Sequence, residues 1–155
     1  MSDKDFTIEP EAMRIIIDWM KEYKPTIVVE LGSGESTKKL AKHCDILYTY
    51  EDNPAYLKKQ PINVIQKYAP LKEGWYNAEF PEDIDLLIID GPCGRPKQLV
   101  RMPSKELLMK LKGPIFLHDT IRPEEIEIAH KLGKPTFYDT KYGIAKIECI
   151  NGSKE

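Results

Sequence analysis

Apolar residues recur along the chain with two periods. Met13, Ile16, Ile17 and Met20 fall at helical spacing within 10–23, with Pro10 in the first turn, and predict an amphipathic helix. Thr26 to Leu31 is a short apolar run ending in Glu-Leu-Gly and reads as a buried strand. Residues 36–43 read as a helix behind a glycine-rich turn, and 46–51 as a second strand. Asn53-Pro54 opens another helix, and 62–66 reads as a third, short strand. Residues 84–90 are apolar through their middle, which suits a central strand covered on both faces. A helix follows over 104–112, with Leu107, Leu108 and Leu111 as its apolar face, until Gly113-Pro114 breaks it. A strand at 115–118, a helix at 123–132 ended by Gly133 and Pro135, and strands at 136–139 and 144–150 complete the pattern. The last two strands flank a turn at Lys141-Tyr142-Gly143. Residues 67–83 and 91–103 show neither period.

Five strand–helix repeats and a closing hairpin predict an α/β fold. Its sheet has seven strands, mostly parallel, in three layers, with an antiparallel strand from the C-terminal hairpin. No repeat or linker divides the chain, so residues 1–155 are expected to form a single domain. The 23 basic and 25 acidic residues give a net charge of −2, which argues against a protein built mainly to hold nucleic acid. No apolar run approaches the roughly 20 residues that span a bilayer. The N-terminus is polar, without an apolar signal core, and the expectation is a cytoplasmic protein. Cys44, Cys93 and Cys149 match neither a disulfide framework nor a zinc pattern and read as reduced thiols.

The first strand runs into Gly32-Ser33-Gly34. In an open parallel sheet, ligands bind outside the carboxyl ends of the strands, where strand order reverses. Glycines there let the chain turn and let a ligand approach the backbone. Glu51 ends the second strand, 19 residues beyond Gly32, where a carboxylate can accept hydrogen bonds from ribose hydroxyls. Asp90 ends the fourth strand across the same crevice. Glu30 is the unusual member. A charge at the end of a buried strand is costly unless paired, by a ligand ammonium group or by N–H groups at the helix start. A dinucleotide fingerprint would need glycine where Thr37 stands, and pyrophosphate does not call for an acid before the turn. An NAD-dependent enzyme is therefore the weaker reading, and a cationic ligand the stronger.

Glu30-Leu-Gly-Ser-Gly-Glu-Ser-Thr37 resembles the first motif of class I, Rossmann-like methyltransferases that use S-adenosylmethionine (SAM). The form Val-Glu-Leu-Gly-Ser-Gly-x-Ser-Thr is similar to a small single-domain branch that also carries Asp-Gly-Pro after strand four and His-Asp after strand five. This chain has Asp90-Gly91-Pro92-Cys93-Gly94 and His118-Asp119. Ser36 departs from members with a third glycine. The resemblance implies SAM as cofactor. It places Glu30 near the methionyl amino group, directly or through water. Gly32, Ser33 and Gly34 would lie along the methionine and ribose, and Ser36, Thr37 and Asp90 would also bind the cofactor. Glu51 would hold the ribose hydroxyls, Asp52 would lie beside the adenine, and Tyr68 and Ala69 would pack near it.

Asp90, His118 and Asp119 would meet at the catalytic end. Methyl transfer needs mainly a well-placed acceptor, and a base where the acceptor holds its proton, as an alcohol does. His118 is the expected base, oriented by Asp90 or Asp119. The same three side chains could instead hold a divalent metal, which is not favoured because adjacent strand residues face opposite ways. They could also merely satisfy backbone groups at a strand end. The methyl acceptor is unidentified. Arg95, Lys97 and Arg101 could clamp an anionic one, and Trp75, Tyr76 and Phe80 mark the other irregular stretch. No cap domain is inserted, which is compatible with a large substrate, a partner subunit in a homo-oligomer, or a SAM-binding regulatory protein without turnover. His43 and His130 have no motif context and read as surface or helix-end residues.

Overall fold

The structure is a computed structural model that describes residues 8–92 and 101–149. Nine strands and four α-helices alternate within it. The strands are β1 (Ile27–Leu31), β2 (Ile46–Glu51), β3 (Val64–Tyr68), β4 (Leu71–Lys72), β5 (Trp75–Tyr76), β6 (Leu86–Ile89), β7 (Ile115–His118), β8 (Gly133–Tyr138) and β9 (Ile144–Cys149). The helices are α1 (Pro10–Tyr23), α2 (Glu35–Ala41), α3 (Lys105–Met109) and α4 (Pro123–Leu132).

Seven strands form one sheet in the order β3-β2-β1-β6-β7-β9-β8. β1, β2, β3, β6 and β7 run parallel, and β9 pairs antiparallel with both β7 and β8. The chain builds outward from β1 to β3 and then returns to lay β6 on the other side of β1. Strand order therefore reverses between β1 and β6, which opens a crevice at their carboxyl ends. The α/β class, the mostly parallel seven-stranded sheet and the antiparallel closing strand are as the sequence predicts.

Alternate residues of the central strands feed two cores. Val28, Leu86, Ile88 and Phe116 pack with Ala12, Met13, Ile16 and Met20 of α1 and Leu40 of α2. Val29, Leu31, Leu87, Ile89 and Leu117 pack on the opposite face with Leu107 of α3 and Ile128, Ala129 and Leu132 of α4. Burial on both faces explains why these strands read as continuous apolar runs. Asp85 interrupts one run because its Oδ2 accepts the backbone N–H groups of Thr26 and Ile27, at 3.0 and 3.1 Å. That contact ties the base of β1 to β6.

The periphery differs from the sequence reading. The helix expected after Asn53 is a single 3-10 turn, Pro54–Tyr56, capped by the Asn53 side chain. Leu57 is already extended, and Pro61 then disfavours helix in the residue before it. β3 begins at Val64 rather than 62, leaving Ile62 exposed, and β8 begins at Gly133 rather than 136. β8 is an edge strand, so Pro135 can sit within it although it has no N–H to donate. The irregular 67–83 stretch contains the β4–β5 hairpin, turned by Glu73 and Gly74 at φ 53° and 84°. Both central residues at positive φ is the type I′ geometry that tight hairpins prefer. Among the described residues, no helix is long and apolar enough to cross a membrane.

Candidate active site

A cavity of about 430 Å³ lies at the carboxyl ends of β1, β2, β6 and β7. Its walls include Gly32, Ser33, Gly34, Glu51, Asp52 and Tyr76 on one side and Asp90, His118, Asp119 and Tyr142 on the other. Gly32 takes φ 100°, and a Cβ there would lie 3.2 Å from the Asp90 carbonyl. The turn after β1 therefore needs glycine both for its backbone angle and for its approach to β6. Gly34 is different. Its φ of 175° is open to any residue, and a Cβ there would meet no atom of the described residues within 4 Å. The protein's own packing does not require this glycine, and the space it leaves belongs to the cavity wall.

Glu51 is buried at the end of β2. One carboxylate oxygen accepts the Ser33 N–H and the other the Asn53 N–H, both at 2.9 Å. Those bonds fix the carboxylate against the glycine turn and leave lone pairs free. Burial pushes its pKa up to about 7, against the two backbone N–H groups, and the neighbouring Asp52 adds to the rise.

Glu30 does not line the cavity. It is fully buried on the face of β1 that packs against α2, where Ser36 and Thr37 donate to its two oxygens at 2.6 Å each. Thr49 of β2 donates to it at 2.8 Å. Three hydroxyls thus meet the pairing requirement that the sequence assigned to a ligand ammonium or helix N–H groups. Burial still pushes its pKa up to about 7. Thr49 has one hydroxyl proton and gives it to Glu30, so Ser33 Oγ is the donor in the 2.6 Å Ser33–Thr49 contact. Thr37 Oγ1 also accepts the Gly34 N–H at 3.1 Å. Glu30 therefore reaches the cavity only through the loop that it braces.

At the other end, β7 stops at His118, and Asp119 takes a left-handed backbone at φ 68°. The break in the strand is what allows both side chains to face the cavity; a left-handed non-glycine residue costs on the order of 1–2 kcal/mol, which aspartate tolerates better than most. His118 lies between carboxylates. Nδ1 contacts Asp90 Oδ1 at 2.8 Å and Asp119 Oδ1 at 3.5 Å, and Nε2 contacts Glu9 Oε1 at 2.5 Å. A carboxylate offers only lone pairs, so each ring nitrogen must carry a proton. Burial would lower the histidine pKa, but the hydrogen bonds and charges of Asp119 and Asp90 prevail and push it up to about 11. The ring is an imidazolium with no lone pair to offer. In this arrangement the ring donates to Asp90 and to Glu9. Burial raises the pKa of Asp90, with His118 and Arg101 holding it back. Asp119 is held well below the usual carboxylate range: burial would raise it, but His118 and Arg101 outweigh that.

Arg101 is buried in the cavity wall, with its guanidinium held by protein groups. It donates to the carbonyls of Pro92, His118 and Asp90 at 3.0, 3.3 and 3.2 Å and to Asp119 Oδ2 at 2.8 Å. It ties the ends of β6 and β7 together. Arg95, Lys97 and Cys93 lie outside the described residues. Tyr68 and Ala69 do not line the cavity: Tyr68 is exposed at the sheet edge and Ala69 belongs to the core. Asp90, His118 and Asp119 each bring an atom within 4.8 Å of the others, close enough to share a cation. Their hydrogen bonding does not fit one. The Nδ1 site already holds a proton shared with Asp90, and Asp119 faces a buried guanidinium. Sequence reasoning missed Glu9, which enters from the start of α1, and Tyr142, from the β8–β9 turn. Neither stands in a motif, and only the fold brings them to the site.

No family model matches the chain, and no curated protein matches its sequence. Solved structures do share its architecture. A methyltransferase from Geobacter sulfurreducens aligns with a TM-score of 0.70 and 14% identity, over 94% of this chain and 81% of that one. A methyltransferase from Podospora anserina, solved with S-adenosylhomocysteine (SAH) bound, aligns at 0.67 and 14%, over 97% and 83%. An rRNA methylase from Streptococcus thermophilus aligns at 0.66 and 14%, over 94% and 100%. The chain thus has the three-layer, Rossmann-like fold of these methyltransferases.

Proposed function

We propose that this protein is a SAM-dependent methyltransferase. The observation that carries the reading is the cavity at the strand-order reversal, walled by a bare Gly34 on one side and by buried Glu51 at the end of β2. Gly34 leaves a cradle that a Cβ would fill, and Glu51 offers a fixed carboxylate to ribose hydroxyls. Glu51, Asp52, Gly32, Ser33 and Gly34 are the residues suited to hold the adenosyl and methionyl parts. The SAH bound in the Podospora methyltransferase supports the same ligand here. The bound cofactor supplies an electrophilic methyl group on a sulfonium.

The residues at the other end set what happens to the acceptor. Asp90 Oδ1 accepts from His118, while Oδ2 has no hydrogen-bond partner among the described residues. Asp90 is the proton acceptor in this reading. With the methyl group supplied by the cofactor, Asp90 Oδ2 would take the proton that the acceptor gives up. Its raised pKa suits that task better than an ordinary aspartate would. The acceptor class is a hydroxyl or amine that must lose a proton.

Calorimetry with SAH and with NAD tests the reading. SAH is expected to bind the wild-type protein and NAD is not. Glu51→Ala is expected to lower SAH affinity by about tenfold or more, the loss of charge-assisted hydrogen bonds of about 1.5–3 kcal/mol. Binding of NAD without SAH would overturn the cofactor assignment, and unchanged affinity in Glu51→Ala would overturn the ribose role.

A further inference from the structure

Of the carboxylates that contact the His118 ring, Asp90 and Asp119 directly follow strands of the sheet and Glu9 does not. Glu9 stands at the N-cap of α1, yet its side chain makes no capping bond. Instead it is buried and reaches across the fold. Oε1 accepts from His118 Nε2 at 2.5 Å. Oε2 accepts from Thr140 Oγ1 at 2.6 Å and from the Tyr142 N–H at 2.8 Å. Both oxygens are thus committed to the β7 end and to the β8–β9 turn. The Glu9 side chain makes no capping bond in α1; one oxygen holds the ring and the other anchors the β8–β9 turn.

We propose that Glu9 is a positioning residue that acts on Asp90 through His118. By accepting from Nε2, it aims the Nδ1–H at Asp90 Oδ1, which leaves Oδ2 turned to the cavity. Without it, Nε2 has no anionic partner and can release its proton. The ring is then free to become a neutral imidazole with Nε2 bare; its Nδ1–H still donates to Asp90, but that carboxylate loses the positive charge beside it. Among the described residues, these groups surround the ring. Glu9 comes from the start of α1, Asp90 from the end of β6, and Asp119 from the residue after β7. The Tyr142 ring lies edge-on at 6.3 Å, from the β8–β9 turn. Arg101 touches the ring's own residue at its carbonyl oxygen, and Glu125 of α4 lies 3.7 Å from the Arg101 guanidinium. Arg122 lies 3.6 Å from Asp119 and 3.5 Å from Glu125. Of these, only Glu9 touches Nε2.

The consequence for Asp90 rests on the methyl-transfer reading. The protonation of His118 does not, so the two can fail separately. Long-range proton–nitrogen spectra of the imidazole rings test it directly, since the chain has only three histidines. His118 is assigned by loss of its signals in His118→Gln. In the folded wild-type protein both ring nitrogens are expected to keep the imidazolium signature to about pH 9, far above a free histidine. In Glu9→Gln, a neutral imidazole is expected to appear at least about one pH unit lower, the usual effect of losing one adjacent charge. SAH affinity measured on the same variant is expected to stay within about threefold, because Glu9 lies away from Glu51 and Gly34; that margin is under 1 kcal/mol. A neutral His118 in the wild-type protein near pH 7 would overturn the proposal without any variant. So would an unchanged titration in folded Glu9→Gln. Failure of SAH to bind either protein would instead strike the cofactor reading and leave the ring assignment standing.

Discussion

At the scale of single residues, the site divides into groups that the sequence could reveal and groups that only the fold could assemble. Gly32, Glu51, Asp90, His118 and Asp119 were legible because each ends a strand, and strand ends are where this architecture binds ligands. Glu30 stands out in the sequence as a charge at the end of a buried strand, but its partners are the hydroxyls of Ser36, Thr37 and Thr49. A sequence shows that a buried carboxylate needs partners without showing that the next helix already supplies them. Glycine poses the same problem. Gly32 and Gly34 look alike in the chain, yet one is demanded by its backbone and the other by no contact among the described residues. Gly34 is also the N-cap of α2, where alanine is less favoured than glycine, so Gly34→Ala is expected to cost no more than about 1 kcal/mol of thermal stability. It is expected to lower SAH affinity by about tenfold or more through a methyl group in the ligand's space. Paired thermal melts and calorimetry check both halves, and equal affinities would mean that the bare wall is not a cradle.

At the scale of elements, legibility followed burial. β1 and β6 carry apolar residues on both faces and announce themselves, because two cores meet on them. β3 and β8 are the sheet edges, and their burial is partial. With half-exposed side chains their pattern fades, so the predicted boundaries slipped by two or three residues. Gly133 shows what the pattern missed. Read as a helix stop, it is also the first residue of β8, where a Cβ would lie 2.0 Å from the Glu148 carbonyl oxygen and 2.9 Å from the Cys149 Cα. Those atoms are backbone of β9 and cannot move aside alone. Gly133→Ala is expected to destabilise the protein by about 2 kcal/mol or more through overpacking, read as a lower urea midpoint. A midpoint equal to wild type would show that the edge pairing yields easily.

At the scale of the whole molecule, the charged cluster joins segments far apart in sequence. Glu9, Asp90, Arg101, His118, Asp119 and Glu125 hold the start of α1, the ends of β6 and β7, α4 and the β8–β9 turn in one network. Its titration gives stability a definite pH dependence. His118 has a folded pKa of about 11, raised from its unfolded value. Its contribution is complete below about pH 6.5 and is lost as pH climbs toward the folded value. Glu30 and Glu51 have folded values of about 7, raised by burial, so the folded state holds their protons more tightly than the unfolded chain does. Their ionisation weakens the unliganded fold between about pH 4.5 and 7, the same direction as His118. Glu9 and Asp119 oppose this, because their folded values are lowered. Burial resists that lowering in both, but the donors around Glu9 and the charges of His118 and Arg101 beside Asp119 prevail. What they contribute is present above the ordinary carboxylate range and is lost only as pH falls below about 4. The unliganded protein is therefore expected to be most stable between about pH 4.5 and 6 and to lose stability steadily toward pH 9. Urea midpoints measured across that range give the answer. A midpoint that rose between pH 6 and 9 would mean that His118 is not held as an imidazolium and that the buried carboxylates are already ionised without penalty.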